Sequence, residues 1–237
     1  MKKPFISVII PALNEEKYIE NTLKAIKNQD YNSSYEIIVA DGMSTDKTIE
    51  IAKKYTNKII RVEKKGIGAG RNAGALHAKG DILLFVDADT IPSANLFSSI
   101  TKTFKKEDVV AAACKFYPID PDKSITAIYK IYNKFMKLSI KLKNAGIAGI
   151  CCAYRKSIFR QLGGFDETLS TFEDADLSRR ANKLGRIILL KNTIALTSSR
   201  RIEKWGAKNA FFSYLFNFMK FYLIGKGYTA DRYKPVR

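Results

Sequence analysis

Short apolar runs recur along the first half of the chain, separated by segments with a helical pattern. Such runs are typical of strands that a parallel sheet buries on both faces. They lie at residues 5–10, 36–40, 58–62 and 82–86. After the first run, apolar residues at helical spacing predict an amphipathic helix, namely Tyr18, Ile19, Leu23 and Ile26. Strands that alternate with helices predict a doubly wound, mostly parallel α/β sheet with flanking helices.

The remaining elements follow from the same pattern read together with capping signals. Asn14 is a suitable N-cap for the first helix, and Glu15 and Glu16 suit its first turn. Further helices are predicted at residues 93–104, 124–143, 157–162 and 172–184, and strands at 109–116, 187–190 and 194–196. We expect one domain at residues 1–199. A C-terminal segment follows at 200–237, with an aromatic stretch at 210–224 and a basic tail at 226–237.

The charge of the chain is unusual for an ordinary α/β protein. The 41 Lys and Arg outnumber the 23 Asp and Glu and give a net charge of +18, which indicates an anionic partner. Because His77 is the only histidine, zinc sites and Ser-His-Asp triads are nearly excluded. The cysteines Cys114, Cys151 and Cys152 suggest reduced thiols, and we recognise neither a signal peptide nor a confident membrane span. We therefore expect a cytoplasmic protein.

Two carboxylates follow the apolar run at residues 82–86. Asp87 and Asp89 are two positions apart, so in extended backbone they point the same way. Two like charges aimed at one spot require a cation between them or a proton on one of them. A hard divalent ion, Mn²⁺ or Mg²⁺, that bridges to a phosphate meets this requirement. The alternative is a solvated turn that ends the strand.

Three strand ends in succession carry small, acidic or amide residues, at 11–15, 41–46 and 87–89. Parallel strands bring their carboxyl ends to one edge of the sheet, where open α/β sheets bind ligands. The sequence therefore predicts a nucleotide-sized cleft at this edge. In that cleft Asp41 can accept the imide N–H of uracil, although guanine offers the same donor and a simple turn is the alternative.

A glycine cluster at residues 66–74 follows the third predicted strand and opens a predicted helix that ends at about Lys79. Gly68 to Ala73 fits the G-x-G-x-x-A pattern of dinucleotide sites, but that pattern normally follows the first strand. A flexible loop that caps a helix is another interpretation. We favour a loop in which Arg71 meets a phosphate at a helix N-terminus.

Two charged pairs in the second half have structural and functional interpretations. Glu173 and Asp174 suit the first turn of a helix through the dipole alone, or they supply a general base near a substrate hydroxyl. Arg200 and Arg201, near Trp205, are either solvated or stabilise a leaving diphosphate, since a guanidinium matches phosphate oxygens.

The predicted helix at residues 124–143 is the clearest amphipathic segment. Its apolar stripe consists of Ile125, Ile128, Tyr129, Tyr132, Phe135, Met136 and Ile140. Off the stripe lie Lys130, Lys134, Lys137, Lys141 and Lys143, without any acidic residue. Such a stripe usually faces a core, but the excess of lysine favours an interfacial helix on an anionic membrane surface. The aromatic stretch at 210–224 supports membrane contact, although it is too short for a full span.

Together these motifs resemble the family 2 glycosyltransferases with the GT-A fold. The matching motifs stand at residues 11–15, 41–46, 70–74, 87–89, 163–167 and 173–177, and the resemblance extends over about residues 7–185. Each motif is weak alone, whereas their order and spacing are specific. The resemblance implies an inverting, metal-dependent transfer of a sugar from a nucleotide-sugar.

The resemblance also implies roles for individual residues. It assigns nucleotide binding to Pro11, Ala12, Asn14, Glu15, Asp41, Gly70, Arg71, Asp87 and Ala88. Asp89 would bind the metal at the diphosphate, and Asp174 would be the catalytic base with Glu173 beside it. A role at the leaving group or acceptor falls to Arg180, Arg200, Arg201 and Trp205. The C-terminal histidine that some members use as a metal ligand has no counterpart, so metal binding rests on Asp89, diphosphate oxygens and water.

We expect a UDP-sugar donor and a lipid-linked or glycan acceptor hydroxyl, with the protein peripheral on the cytoplasmic face of the cell membrane. A polyprenyl phosphate is the alternative acceptor, because it is already an anion and hardly needs a base. A nucleotidyltransferase would release pyrophosphate, but the Glu173-Asp174 motif argues against it. A nucleic-acid-binding module would use the positive charge. The lysines lie outside any recognised nucleic-acid motif, however, so we expect no nucleic-acid partner.

Overall fold

The computed structural model describes residues 5–120, 122–144, 146–206, 209 and 212. The strands found in these residues are β1 (Ile6–Ala12), β2 (Tyr35–Asp41), β3 (Ile59–Arg61), β4 (Ile82–Val86), β5 (Thr90–Pro92), β6 (Val109–Pro118), β7 (Cys151–Arg155) and β8 (Arg186–Thr197). The helices are α1 (Ile19–Lys27), α2 (Thr48–Lys53), α3 (Ile67–His77), α4 (Leu96–Phe104), α5 (Lys123–Lys141), α6 (Lys156–Gln161), α7 (Glu173–Ala181) and α8 (Arg200–Trp205).

These strands form one mixed sheet in the order β3-β2-β1-β4-β7-β6-β8-β5. β1 is parallel to both β2 and β4, and β3 is parallel to β2. β7 runs antiparallel to β4 and β6, while β5 runs antiparallel to β8. The α/β prediction is confirmed. The parallel pairs among β1 to β4 lie where strands alternate with helices in the sequence. The less regular second half combines the antiparallel pairs with one parallel pair, β6 and β8.

The first helix begins later than the capping signals predict. α1 starts at Ile19, with Tyr18 at its N-cap and no side-chain cap. Asn14 instead has a positive φ of 55° and accepts a hydrogen bond from the backbone N–H of Thr45. The predicted cap is therefore wrong, because the Asn14 side chain bonds to the loop after β2 rather than to the helix.

The predicted helix after the third strand is confirmed, but the glycine cluster lies inside it and not in a loop before it. α3 begins at Ile67, so most of the glycines lie inside it. A Cβ atom at Gly74 would lie 2.4 Å from Cγ2 of Ile9, so the missing side chain lets α3 pack directly against β1. Arg71 is the fifth residue of this helix, which removes it from the helix N-terminus where we expected a phosphate.

Two features of the second half differ from the predicted strands. β8 is one strand in place of two, and its register against β6 shifts between Leu189 and Ile194. Polar residues between these two positions interrupt the apolar pattern, and the sequence therefore predicted two short strands. After β4, the backbone N–H of Thr90 donates to the carbonyl of Asp87 (3.1 Å), so residues 87–90 form a turn and not a continued strand.

α5 begins at Lys123, because the Asp122 side chain accepts hydrogen bonds from two backbone N–H groups of the first turn. Most of the predicted stripe faces the core, where Ile125, Ile128 and Met136 are buried. Phe135 is the exception, since 46% of it is exposed. In the described residues, no helix combines the length and the apolar character that a membrane crossing requires.

The predicted boundary between the domain at residues 1–199 and the C-terminal segment at 200–237 falls inside the described fold. α8 packs onto the domain through Ile202, which is 5% exposed. The aromatic stretch at 210–224 and the basic tail at 226–237 lie outside the described residues, apart from residue 212. Their proposed membrane contact stays a prediction.

Candidate active site

The carboxyl ends of β1, β2 and β4 meet at one edge of the sheet. Ala12, the last residue of β1, is paired in register with Asp41, the last residue of β2. Pro11 precedes Ala12, and a Cβ atom added to Gly70 would lie 3.4 Å from Cβ of Pro11. Four residues that the sequence assigns to nucleotide binding are therefore neighbours.

The loops after β1 and β2 are fixed to each other. The backbone N–H of Asn14 donates to Oγ of Ser44 (2.9 Å), and the N–H of Thr45 donates to Oδ1 of Asn14 (2.8 Å). The N–H of Glu15 donates to Oγ1 of Thr48 (2.7 Å). These bonds hold the two loops in one geometry, as a preorganised binding site requires.

Asp41 lies beneath these loops and is completely buried. The backbone N–H of Ser44 donates to both carboxylate oxygens (3.2 Å), and Nη1 of Arg61 lies 3.3 Å from Oδ2. A carboxylate accepts about four hydrogen bonds, so Asp41 retains acceptor capacity for a base N–H. Because the side chain is covered, such a contact requires that its neighbours shift.

Arg71 joins the end of β4 to the start of α7. Its Nη2 donates to Oδ1 of Asp87 (2.8 Å) and its Nη1 to Oε1 of Glu173 (2.6 Å). The guanidinium also lies over the ring of Phe165, 5.3 Å from the centroid. Burial alone would lower the pKa of Arg71, but the charges of Asp87 and Glu173 outweigh it and raise that pKa. Arg71, at 2% exposed, therefore compensates carboxylates rather than meeting a phosphate from solvent.

Glu173 and Asp174 form an acidic pair at the first turn of α7. Burial, and next the charge of Asp174, raise the pKa of Glu173 to about 7, although Arg71 opposes the shift. Burial likewise raises the pKa of Asp174. The Asp174 carboxylate accepts from the backbone N–H groups of Gly149 (2.6 Å) and Ala175 (2.7 Å). A raised pKa makes a carboxylate a stronger base, which is the property that proton abstraction needs.

Gly149 positions this pair, and no motif in the sequence indicated its role. A Cβ atom at Gly149 would lie 2.5 Å from Nη2 of Arg71, and the two ion pairs of Arg71 prevent that group from moving away. We expect Gly149→Ala to displace both Arg71 and Asp174 and to lower kcat by about 10–100-fold.

The matched control for Gly149→Ala is Gly68→Ala, where the added Cβ would meet its nearest neighbour at an ordinary 3.5 Å. Steady-state rates together with the melting temperature check the prediction. Wild-type rates in Gly149→Ala would contradict a role for the Gly149–Arg71 contact.

Arg200, at the start of α8, reaches the same edge from the other side. It donates to both carboxylate oxygens of Glu15 (2.8 and 2.6 Å), and its Nη2 lies 3.3 Å from Oδ2 of Asp89. The guanidinium also lies over the ring of Tyr18, 4.8 Å from the centroid. Burial lowers the pKa of Arg200, but the bond to Glu15 and the charge of Asp89 outweigh this effect and raise it.

Asp89 is the carboxylate with the chemistry of a metal ligand. Burial first, and then the charge of Asp87, raise the pKa of Asp89 to about 6, although the charge of Arg200 opposes this shift. Among the described residues, no group of three or more His, Cys, Asp or Glu side chains could hold a metal. Mg²⁺ commonly binds one or two carboxylates together with substrate phosphates. Asp89 therefore fits an ion that is shared with a phosphate ligand.

The other residues that the sequence assigns to the site make mostly structural contacts or lie next to site residues. Arg180 donates to the carbonyls of Leu162 (2.7 Å) and Gly164 (2.8 Å) and to Asp176 (2.8 Å). These bonds connect α7 to the segment after α6, so the contacts of Arg180 are structural. Ala88 is buried in the turn between Asp87 and Asp89. Arg201 and Trp205 follow Arg200 in α8, with Trp205 packed against the core.

A groove of about 350 Å³ opens beside Arg200. It is lined by Asn14, Glu16, Lys17, Tyr18, Asp46, Arg200 and Lys204.

Two further contacts support Asp89: Oγ1 of Thr197 donates to its carboxylate (3.4 Å), and the N–H of Ser198 donates to its carbonyl (3.2 Å). The sequence did not indicate that Tyr18 and Thr197 lie at the site, because neither residue belongs to a recognised ligand-binding motif.

Sequence comparison identifies relatives of this chain. Residues 7–163 match the family model for Glycosyl transferase family 2. Glycosyltransferase AglE of Haloferax volcanii is 30% identical over 191 residues, which cover 77% of this chain and 62% of AglE. The dolichyl N-acetyl-alpha-D-glucosaminyl phosphate 3-beta-D-2,3-diacetamido-2,3-dideoxy-beta-D-glucuronosyltransferase of Methanococcus voltae is 36% identical over 110 residues, which cover 43% of this chain and 34% of that protein. The chain thus spans less than two thirds of the length of these relatives.

Solved structures with the same fold include two complexes. S. aureus TarS 1–349 in complex with UDP-GlcNAc has a TM-score of 0.66 and 24% identity, over 84% of this chain and 59% of that chain. Mannosyltransferase PcManGT from Pyrobaculum calidifontis in complex with GDP-Man and Mn²⁺ has a TM-score of 0.70 and 21% identity, over 100% of this chain and 68% of that chain. At these identities the likeness concerns the fold. The family match itself covers most of the chain, from Ser7 to Gly163, and the protein therefore belongs to glycosyltransferase family 2.

Proposed function

We propose that this protein is an inverting glycosyltransferase that moves a sugar from a nucleotide-sugar to an acceptor hydroxyl. One observation carries the proposal: Arg71 ties Asp87, at the nucleotide edge of the sheet, to Glu173 beside Asp174. A donor cleft and a candidate general base are thereby held in one buried network. Family membership and the fold support the same conclusion.

We propose a UDP-sugar as the donor, held by the loops after β1 and β2 and by Asp41. The acceptor capacity of Asp41 suits the imide N–H of uracil. TarS, which shares this fold, is known in complex with UDP-GlcNAc. A GDP-sugar is the alternative, since guanine offers a similar N–H and PcManGT is known in complex with GDP-Man and Mn²⁺.

Charge on the departing diphosphate would be neutralised from two sources. When bound, Mn²⁺ or Mg²⁺ at Asp89 would act as a Lewis acid at the diphosphate oxygens. Arg200, which already lies 3.3 Å from Asp89, supplies a guanidinium to the same phosphates, with Arg201 next to it in α8. Positive groups aimed at the developing charge stabilise the transition state more than the ground state.

Asp174 acts as the general base in this proposal. Its carboxylate takes the proton from the acceptor hydroxyl while the oxygen attacks the anomeric carbon from the face opposite the nucleotide. The bond from that carbon to the diphosphate breaks, and its electron pair leaves with the nucleotide, so the configuration inverts. Glu173 stays paired with Arg71 and keeps the start of α7 in position.

We propose that the acceptor is lipid-linked and that the protein works peripherally at the cytoplasmic face of the cell membrane. The name of the Methanococcus voltae relative, a dolichyl-phosphate-sugar transferase, supports this acceptor class. A polyprenyl phosphate remains the alternative, and it is distinguished by whether Asp174 is needed, because a phosphate is already deprotonated.

A thermal-shift panel of UDP, GDP, CDP and NAD, each with and without Mn²⁺, tests the donor proposal. We expect UDP with Mn²⁺ to raise the melting temperature most, because a ligand of the folded state stabilises it by mass action. Asp89→Ala should remove the part of the shift that depends on Mn²⁺. The matched control Asp108→Ala, whose partner is the exposed Arg186, should keep it.

Two outcomes of this panel would contradict the proposal. Stabilisation by NAD and not by UDP or GDP would indicate a dinucleotide site. A Mn²⁺-dependent shift that persists in Asp89→Ala would place the metal elsewhere.

A further inference from the structure

Helix α5 has a second apolar line on its outer side. Its core face buries Ile125, Ile128 and Met136, yet three apolar side chains on another face are exposed. Ile131 is 38% exposed, Leu138 49% and Leu142, directly after the helix, 68%. Positions separated by seven and then four residues lie along one line of a helix. The stripe recognised in the sequence is thus largely the core face, and the exposed line is a separate feature.

A row of lysines runs beside this apolar line. It consists of Lys123, Lys130, Lys134, Lys137 and Lys141. At about 100° per residue, these positions lie roughly 60–120° to one side of the exposed line. α5 contains no acidic residue, and the described part of the structure shows no ion pair for these lysines.

We propose that this outer face of α5 binds the surface of an anionic lipid bilayer, with the apolar line among the acyl chains and the lysine row at the headgroups. Both halves of the face are needed for this assignment. A nucleic acid would use the lysines and leave the apolar line in water. A second copy of the chain would bring its own lysine row toward the first, which like-charge repulsion disfavours. A bilayer accommodates both.

This proposal deepens the proposed function and rests on it, because a lipid-linked acceptor requires the site to lie near a membrane. Tyr129 of α5 donates its hydroxyl to the carbonyl of Ser198 (3.4 Å), and the N–H of Ser198 donates to the carbonyl of Asp89 (3.2 Å). The segment after Leu142 leads to Gly149, whose N–H donates to Asp174 (2.6 Å). The first half of α5 and the segment that follows the helix are thus both linked to the candidate site, so docking this face would hold the site near a lipid-linked acceptor.

Flotation of the full chain with vesicles tests the proposal. We expect binding to phosphatidylcholine vesicles that contain phosphatidylglycerol and weak binding to phosphatidylcholine alone. The change of Lys130, Lys134 and Lys137 to Glu should lower the partition coefficient by about 100-fold or more. The matched control changes Lys102, Lys105 and Lys106 to Glu, which alters the charge equally on exposed positions at the end of α4, and should retain most of the binding.

A second variant distinguishes a bilayer from a soluble polyanion. Ile131→Ser with Leu138→Ser and Leu142→Ser should weaken vesicle binding while leaving the lysine charge intact. If its melting temperature falls, Leu142→Ser alone gives the same test at the most exposed position. Wild-type vesicle binding in both α5 variants, or equal loss in the α4 control, would overturn the proposal. Binding to duplex DNA without binding to vesicles would overturn it in favour of a nucleic acid.

The UDP-dependent thermal shift of each variant, measured without vesicles, separates this proposal from the proposed function. A normal shift with lost vesicle binding supports the role of α5. A missing shift in the wild-type protein would count against the donor site and would leave the vesicle result standing by itself.

Discussion

Asp174→Asn is expected to lower kcat by about 10²–10⁴-fold, the usual contribution of a positioned general base. An amide cannot take the acceptor proton, but its oxygen can still accept the N–H of Gly149, which lies 2.6 Å from the carboxylate. The KM for the donor and the melting temperature should therefore change little. Initial rates of nucleotide release in the presence of acceptor measure the effect.

The pH dependence provides a second readout of Asp174. The base must be deprotonated in the free enzyme, so kcat/KM falls as the pH drops through its pKa. Because burial raises that pKa, the acidic limb should lie above the roughly 3.9 of an ordinary aspartate. The residual activity of Asp174→Asn should lack this limb.

Asp176→Asn is the control for Asp174→Asn, since it makes the same change on the same helix. The ion pairs of Asp176 are formed with Arg179 and Arg180, and neither involves Arg71. A loss in Asp176→Asn as large as in Asp174→Asn would point to the position of α7 rather than to proton transfer. Near-normal activity of Asp174→Asn would exclude the base and favour a phosphate acceptor.

Arg71→Met is expected to lower the free energy of unfolding by about 3–5 kcal/mol, as is typical when one partner of a buried ion pair is removed. The change leaves Asp87 and the buried Glu173 without their shared counter-charge. Chemical denaturation at neutral pH measures the loss.

The loss of stability in Arg71→Met should be smaller at acidic pH. Without Arg71 the folded-state pKa of Glu173 would lie still further above its value in the unfolded chain. A carboxyl group of this kind is destabilising when ionised, so the loss is greatest at neutral pH and is relieved as falling pH protonates it. Adding Glu173→Leu to Arg71→Met should restore part of the stability, because it removes one unpaired charge.

Arg186→Met is the matched control for Arg71→Met. Arg186 also pairs with a carboxylate, Asp108, but both side chains are more than half exposed, so little change is expected. An equally small effect of Arg71→Met would show that the Asp87–Arg71–Glu173 network is not essential to the fold.

The fold of the first half could be predicted because its causes are local. The run at Ile82–Val86 must be buried on both faces, and alternation of such runs with amphipathic helices leads to a parallel sheet. The meeting of Ala12 with Asp41 followed from the same argument, since parallel strands end at one edge. A helix after the third strand was predicted, but the position of its glycines was not, because they suggest a loop locally and are required by the close packing of Gly74 on Ile9.

The order of strands and acidic motifs along the chain was enough to predict that carboxylates collect at one edge of an α/β sheet. The partners of these carboxylates depend on the tertiary fold. Arg71 and Glu173 are 102 positions apart, and Arg200 and Glu15 are 185 apart. Ion pairs between such distant residues leave no periodic trace in the chain, because they form only after the sheet and helices have packed. For the same reason, the sequence could not distinguish the core face of α5 from its exposed apolar line. Periodicity shows which positions are apolar, but not which of them the sheet covers.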